Sequence, residues 1–175
     1  MSKRIAVVGA GAVGGYVAAG LTRAGHDVVA IDPWHEHVEA IRTHGMELYG
    51  MTPEERHTVK MNAIHITEAQ HLAKEKPIDI ALVSTKSYDT IWATMLIKQY
   101  LAPGGCVVSM QNCINEEAVA SVVGWGRTLG CIVTGGVGVD LYEPGHIRRG
   151  YAKRPEVTSF YIGRASCRER VLTDV

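Results

Sequence analysis

Apolar residues along this chain fall into two alternating patterns. Lys3–Val8, His26–Asp32, Ile78–Val83, Cys106–Met110 and Thr128–Thr134 are short branched runs that read as strands of a buried sheet. Between them lie stretches with helical signals. Val13–Ala24 is a small-residue helix ended by Gly25, and His35–His44 carries Val38 and Ile41 on one side and stops at Gly45. Glu68–Lys76 is a short helix ended by Pro77. Ser87–Tyr100 is a helix with Ile91, Met95 and Leu96 as its core stripe, leaving through the turn Ala102-Pro103-Gly104-Gly105. Asn115–Val123 is a helix capped by Asn115, with Glu116 and Glu117 in its first turn. Shorter features complete the pattern: strands at Met46–Met51 and Asn62–Ile66, a loop or hairpin limb at Thr52–Met61, and hairpins after Gly135-Gly136 turned by Glu143-Pro144-Gly145.

Strands alternating with helices predict a parallel sheet covered on both faces, and in such folds ligands bind beyond the carboxyl ends of the strands. That rule selects Gly9–Gly14, Asp32, Ser84–Ser87 and Gln111–Asn115. The first of these is the most specific. Gly9-Ala10-Gly11-Ala12-Val13-Gly14 joins the first strand to the first helix in the GxGxxG spacing. Gly9 permits the tight turn, Gly11 leaves room for a pyrophosphate against the backbone, and Gly14 lets the helix pack closely on the sheet. The free amides at the helix N-terminus then face the negative charge. Asp32, at the end of the second strand, is placed to accept hydrogen bonds from adenosine ribose hydroxyls. The pattern therefore predicts an α/β, Rossmann-like, doubly wound parallel sheet that binds a dinucleotide.

Composition narrows the remaining classes. The chain has 175 residues, 46% hydrophobic and 21% charged, with a net charge of +0, which suits one well-packed domain and gives no electrostatic footprint for nucleic acid or an anionic membrane. No apolar run is long enough to span a bilayer, and Met-Ser-Lys-Arg leads straight into a core strand, which predicts no signal peptide. Cys106, Cys113, Cys131 and Cys167 lack metal-ligand spacing and read as free thiols of a reducing compartment, hence a cytoplasmic location. His35 and His37 read as a solvated helix start rather than a metal site, so no metal is expected.

With these residues identified, the chain resembles the ketopantoate reductase (2-dehydropantoate 2-reductase) family through its N-terminal cofactor domain. The similar features are Gly9–Gly15, Ala24-Gly25-His26, Ser84-Thr85-Lys86-Ser87-Tyr88, Gln111-Asn112 with Asn115-Glu116-Glu117, and Glu143-Pro144-Gly145, spanning about residues 3–161. The resemblance implies an oxidoreductase that reduces ketopantoate to pantoate with NAD(P)H in pantothenate and coenzyme A biosynthesis. It implies that Lys86 and Asn112 line the nicotinamide end of a cofactor site formed with Gly9, Ala10, Gly11, Ala12, Val13, Gly14 and Asp32. Its partners would be the dinucleotide and a small 2-oxoacid, with a homodimer left open.

Two departures from the family pattern stand out. Cys113 occupies the position after the motif asparagine where the family usually has glycine, so its side chain would crowd the bend. The family generally uses NADP(H), with a basic residue near the end of the second strand, whereas Asp32 would repel a ribose phosphate and favours NAD(H).

The resemblance also implies a second, helical domain carrying the catalytic lysine. The expectation is that this chain lacks it, holds only the supporting candidates Lys86 and Asn112, and turns over little substrate alone. Residues 1–161 then form the dinucleotide-binding domain, and 162–175, which read like translated adapter DNA, a non-native tail. Other hydroxyacid, glycerol-phosphate or hydroxyacyl-CoA dehydrogenases open similarly. A dinucleotide-sensing module without chemistry would need only the glycine turn and Asp32.

Overall fold

A computed structural model describes residues 3–134, 138–150 and 160–164. Its first half contains strands β1 (Arg4–Val8), β2 (Asp27–Asp32), β3 (Met46–Tyr49), β4 (His57–Val59) and β5 (Asn62–His65), with helices α1 (Ala12–Arg23) and α2 (His35–His44). The second half contains β6 (Ile78–Val83), α3 (Thr90–Lys98), β7 (Leu101–Ser109), α4 (Glu116–Val123), β8 (Thr128–Val133), β9 (Val139–Glu143), β10 (His146–Arg149) and β11 (Phe160–Arg164).

The main sheet has seven strands in the order β11-β8-β7-β6-β1-β2-β5. All pairs are parallel except β11 against β8. From β1 the order runs outward through β2 and β5 on one side and through β6, β7 and β8 on the other, so the topological switch lies between β1 and β6. Successive side chains of β1 point to opposite faces. Val7 enters a core with Ala18, Val38, Ile41, Met46 and Ile147, while Val8 enters one with Ile31, Val83, Ile97 and Val119. The expected doubly wound sheet is thus present, with helices α1 and α2 over one face and α3 and α4 over the other.

Several expectations are corrected. A second sheet, in the order β4-β3-β10-β9, was read from the sequence only as disconnected short strands and hairpins. Its central pair is parallel and joins Glu47 to His146 across nearly a hundred residues, a contact no local pattern announces. β11 runs to Arg164, pairing Ile162 with Cys131 and Gly163 with Gly130. Gly135, Gly136, Cys167 and positions 165–175 lie outside the described residues. The Ala102–Gly105 turn belongs to β7, whose pairing with β6 shifts between Ile78↔Leu101 and Ile80↔Cys106. The expected Glu68–Lys76 helix is a 3-10 helix over Ile66–Lys74.

The stripe on α3 is rotated. Ile91 and Met95 are 51% and 61% exposed, and the buried positions are Thr90, Ala93, Thr94 and Ile97. A 3-10 turn at Ser87–Asp89 precedes the helix. The face that meets the sheet combines Ile97 with the small side chains of Thr90, Ala93 and Thr94, and the two threonine hydroxyls are satisfied locally: Thr90 Oγ1 donates to the Ser87 carbonyl and Thr94 Oγ1 to the Thr90 carbonyl, both at 2.7 Å. Close approach therefore outranks side-chain hydrophobicity at the two threonine positions. Leu96 is half-buried at the rim of the core.

Among the described residues, no helix is long and apolar enough to cross a membrane, and no three His, Cys, Asp or Glu side chains are grouped to hold a metal. Cys106, Cys113 and Cys131 are free thiols, and burial pushes the Cys106 and Cys131 thiols up from the ordinary range.

Candidate functional site

The three glycines of the turn differ in their steric surroundings. Gly9 lies at φ +91°, its N–H donates to the Ile31 carbonyl at 2.8 Å, and a Cβ there would stand 2.9 Å from the Thr85 nitrogen. The turn leaves β1 so close beside β6 that a side chain has no place. A Cβ on Gly14 would stand 2.0 Å from the Gly9 carbonyl oxygen and 2.8 Å from Ser84 Cβ, so the absent side chain sets how near α1 lies to the sheet. Gly11 differs, for a Cβ there would meet nothing within 4 Å. Ala10 between them is fully buried.

A cleft of about 520 Å³ opens at the carboxyl ends of the strands. Gly11, Ala12 and Val13 line it from the turn after β1, Ser84–Ser87 from the turn after β6, Met110, Gln111 and Asn112 from beyond β7, and Val133 and Thr134 from the end of β8. Lys86 and Asn112 are both exposed, and the topological switch brings them to the same cleft as the glycine turn. Of the remaining candidate residues, Gly9, Ala10 and Gly14 shape the turn from beneath.

Asp32 is the last residue of β2. It does not line this cleft, and both of its carboxylate oxygens accept backbone N–H groups: Oδ2 from Ala10 at 2.7 Å and Oδ1 from Trp34 at 2.9 Å. At 9% exposure it supports the glycine turn from below. A carboxylate has about four acceptor positions, so two bonds leave capacity for a ligand hydroxyl.

The two loops that carry Lys86 and Asn112 are tied by a buried polar network. Gln111 Nε2 donates to the Thr85 carbonyl at 2.9 Å and to Thr90 Oγ1 at 2.8 Å, while Ser109 Oγ donates to Gln111 Oε1 at 3.2 Å. Asn115 was expected to cap α4. Its amide instead donates to the Asn112 carbonyl at 2.7 Å and to Ser87 Oγ at 3.2 Å, with no side-chain bond to the helix. Glu116 and Glu117 do occupy the first turn. The asparagine stabilises the loop before the helix rather than the helix itself.

Cys113 sits at φ +69°, the only non-glycine with positive φ among the described residues. The bend that the sequence comparison assigned to glycine is therefore real, and a Cβ is strained there by about 1–2 kcal/mol. Cys113→Gly is expected to stabilise the fold by about 1 kcal/mol after the entropic cost of glycine. Thermal unfolding would show a rise of about 2–4 °C, and a lower midpoint would rule out the strain.

These residues fit a dinucleotide on their own geometry. The first-turn amides of α1 have no intrahelical acceptors, the space beside Gly11 is open, and Ser84 Oγ is buried at the cleft without a hydrogen-bond partner. The cleft is of a size typical of small-molecule sites, roughly 300–1,000 Å³. Sequence reasoning passed over Val133 and Thr134, although the same carboxyl-end rule applied to the last parallel strand would have selected them. It also read His37 as solvated, whereas the side chain is fully buried. Its periodicity on α2 carried no signal, since its partners come from distant turns.

The family model for ketopantoate reductase PanE/ApbA matches residues 5–159. A 2-dehydropantoate 2-reductase of Pyrococcus abyssi is 33% identical over 147 residues, covering 83% of this chain and 44% of that protein. The crystal structure of a PanE/ApbA family ketopantoate reductase from Ralstonia eutropha JMP134 is similar with a TM-score of 0.73 and 31% identity, over 85% of this chain and 46% of that one. A 2-dehydropantoate 2-reductase structure from Geobacter metallireducens GS-15 is similar with a TM-score of 0.75 and 28% identity, over 92% and 49% respectively. The chain thus spans a little under half the length of each of these three relatives.

Proposed function

This chain belongs to the ketopantoate reductase PanE/ApbA family, and from that premise we propose that it is the cofactor-binding part of a reductase acting on ketopantoate. The observation that carries this reading is the convergence of Lys86 and Asn112 on the cleft beside Gly11, from two different strand ends. A nucleotide sensor needs the glycine turn, but it needs neither of those side chains at the far end of the cleft. Bound nicotinamide would supply hydride to a ketone. The chain's own residues then hold the cofactor in place: the turn amides take the diphosphate charge, and Lys86 and Asn112 contact the nicotinamide end. A cation at Lys86 also favours negative charge developing on a reacting oxygen. The catalytic lysine and most of the oxoacid pocket belong, in this reading, to a further helical domain, and the cytoplasm and pantothenate synthesis are its setting.

The test compares NADH with ADP-ribose, which lacks the nicotinamide ring. Lys86→Ala and Asn112→Ala are expected to weaken NADH binding by about tenfold, for the loss of roughly 1 kcal/mol or more per polar contact, and to leave ADP-ribose affinity unchanged. Equal losses for both ligands, measured by titration calorimetry, would remove the two residues from the nicotinamide end.

For the choice of cofactor we propose NAD(H). The Asp32 carboxylate is 9% exposed, so water screens its charge poorly, and a phosphate dianion nearby would be repelled while two ribose hydroxyls would not. NADH is expected to bind the unmodified chain more tightly than NADPH, and the reverse order in the same titration overturns the preference.

A further inference from the structure

We propose that His37 is a positioning residue for the diphosphate-binding turn and that the second sheet serves as its anchor; this rests on the dinucleotide reading of the cleft. The imidazole is 0% exposed and bridges two backbone segments. The Gly145 N–H donates to Nδ1 at 2.9 Å, and Nε2 lies 2.9 Å from the Ala10 carbonyl oxygen. A backbone N–H can only donate, so Nδ1 must be the acceptor. The proton therefore resides on Nε2 and is given to Ala10. Trp34 stacks on the ring with centroids 5.5 Å apart, which holds its plane.

The consequence lies in the glycine turn. Ala10 is gripped on both sides, its N–H by Asp32 Oδ2 at 2.7 Å and its carbonyl by His37. The peptide joining Ala10 to Gly11 is trans, as every described peptide is. In a trans peptide the N–H points opposite to the C=O, so drawing the Ala10 carbonyl toward His37 turns the Gly11 N–H away from it. Gly11 lines the cleft and His37 does not. The side chain thereby aims an amide at the position of the diphosphate while touching no ligand itself. The anchor continues outward, because the Gly145 carbonyl accepts the Glu47 N–H of β3 at 2.8 Å. A line of hydrogen bonds thus runs from the second sheet through the turn before β10 to the glycine turn. Local spacing cannot produce such a line, since His37 and Gly145 are 108 positions apart.

The experiment uses the full chain and two substitutions that divide the bridge. His37→Gln keeps a donor at the reach of Nε2 and gives up the acceptor for Gly145. His37→Asn keeps an acceptor at the reach of Nδ1 and gives up the donor to Ala10. By calorimetry, H37Q is expected to bind NADH within about twofold of the parent and H37N about tenfold more weakly, whatever their relative melting temperatures. Losses that follow stability alone, or H37N binding like the parent, overturn the positioning role. Nitrogen-15 spectra of the unmodified chain supply an independent arm that does not depend on either variant folding. They are expected to show His37 protonated at Nε2 and not at Nδ1, and the opposite tautomer overturns the proposal. If the unmodified chain binds neither NADH nor NADPH, the dinucleotide reading itself falls, and the tautomer then still reports whether the turn is held by His37.

Discussion

Gly14→Ala is expected to cost the fold about 3 kcal/mol and to lower the melting temperature by about 10 °C. The added methyl would be centred 2.0 Å from the Gly9 carbonyl oxygen and 2.8 Å from Ser84 Cβ. The closer of these atoms is backbone in the same turn, so no rotamer change relieves the overlap. The first turn of α1 must move off the sheet, and it carries Ala18 and Ala19, both fully buried, with it. Unfavourable overpacking of this kind outweighs the small gain that alanine brings to a helix interior, roughly 1 kcal/mol. Because the displaced turn also bears the amides proposed to take the diphosphate, dinucleotide affinity is expected to fall with stability. A melting temperature within 2 °C of the parent would show that the turn can relax, contrary to the argument.

Gly11→Ala is expected to do the reverse, sparing the fold and removing the binding. Its methyl meets no atom within 4 Å, and Gly11 lies at φ −62°, a value any residue adopts. Two stability terms oppose one another there. Alanine reduces the freedom of the unfolded chain, worth about 0.4–1 kcal/mol, but it is a poorer N-cap than glycine by a similar amount. The net change is expected to stay within about 1 kcal/mol. For the ligand there is no such cancellation, since in the proposed reading the methyl would stand where the diphosphate approaches the backbone. NADH affinity is expected to fall about a hundredfold, or about 2.7 kcal/mol. Calorimetry beside a thermal melt separates the two glycines, and an alanine at position 11 that binds NADH normally would place the diphosphate elsewhere.

The glycine turn was legible because its requirements are local. A positive φ at Gly9, a close approach at Gly14 and an open space at Gly11 are each satisfied within a few residues of the motif, together with strand ends that the apolar runs already mark. The same rule led to Lys86 and Asn112, and both line the cleft. Cys113 was marked as a departure for a reason that its φ of +69° bears out. Asp32 was placed correctly at its strand end, yet its role required knowing that Ala10, 22 positions earlier, folds back over it. The α3 stripe was misread because hydrophobic spacing cannot weigh how closely a helix approaches its sheet. There, two threonines with satisfied hydroxyls and one alanine pack beside Ile97 in place of Ile91 and Met95.

Sequence by itself determined the order of strands and helices, the turn chemistry and the residues at the carboxyl ends, because these depend on periodicities of two and 3.6 residues and on backbone torsions of single positions. Tertiary structure alone decided which distant segments share hydrogen bonds: His37 with Gly145, β3 with β10, and Asn115 with the loop holding Asn112. Buried polar groups must find partners wherever the packed chain offers them, and that choice is made by the whole fold rather than by neighbours in sequence.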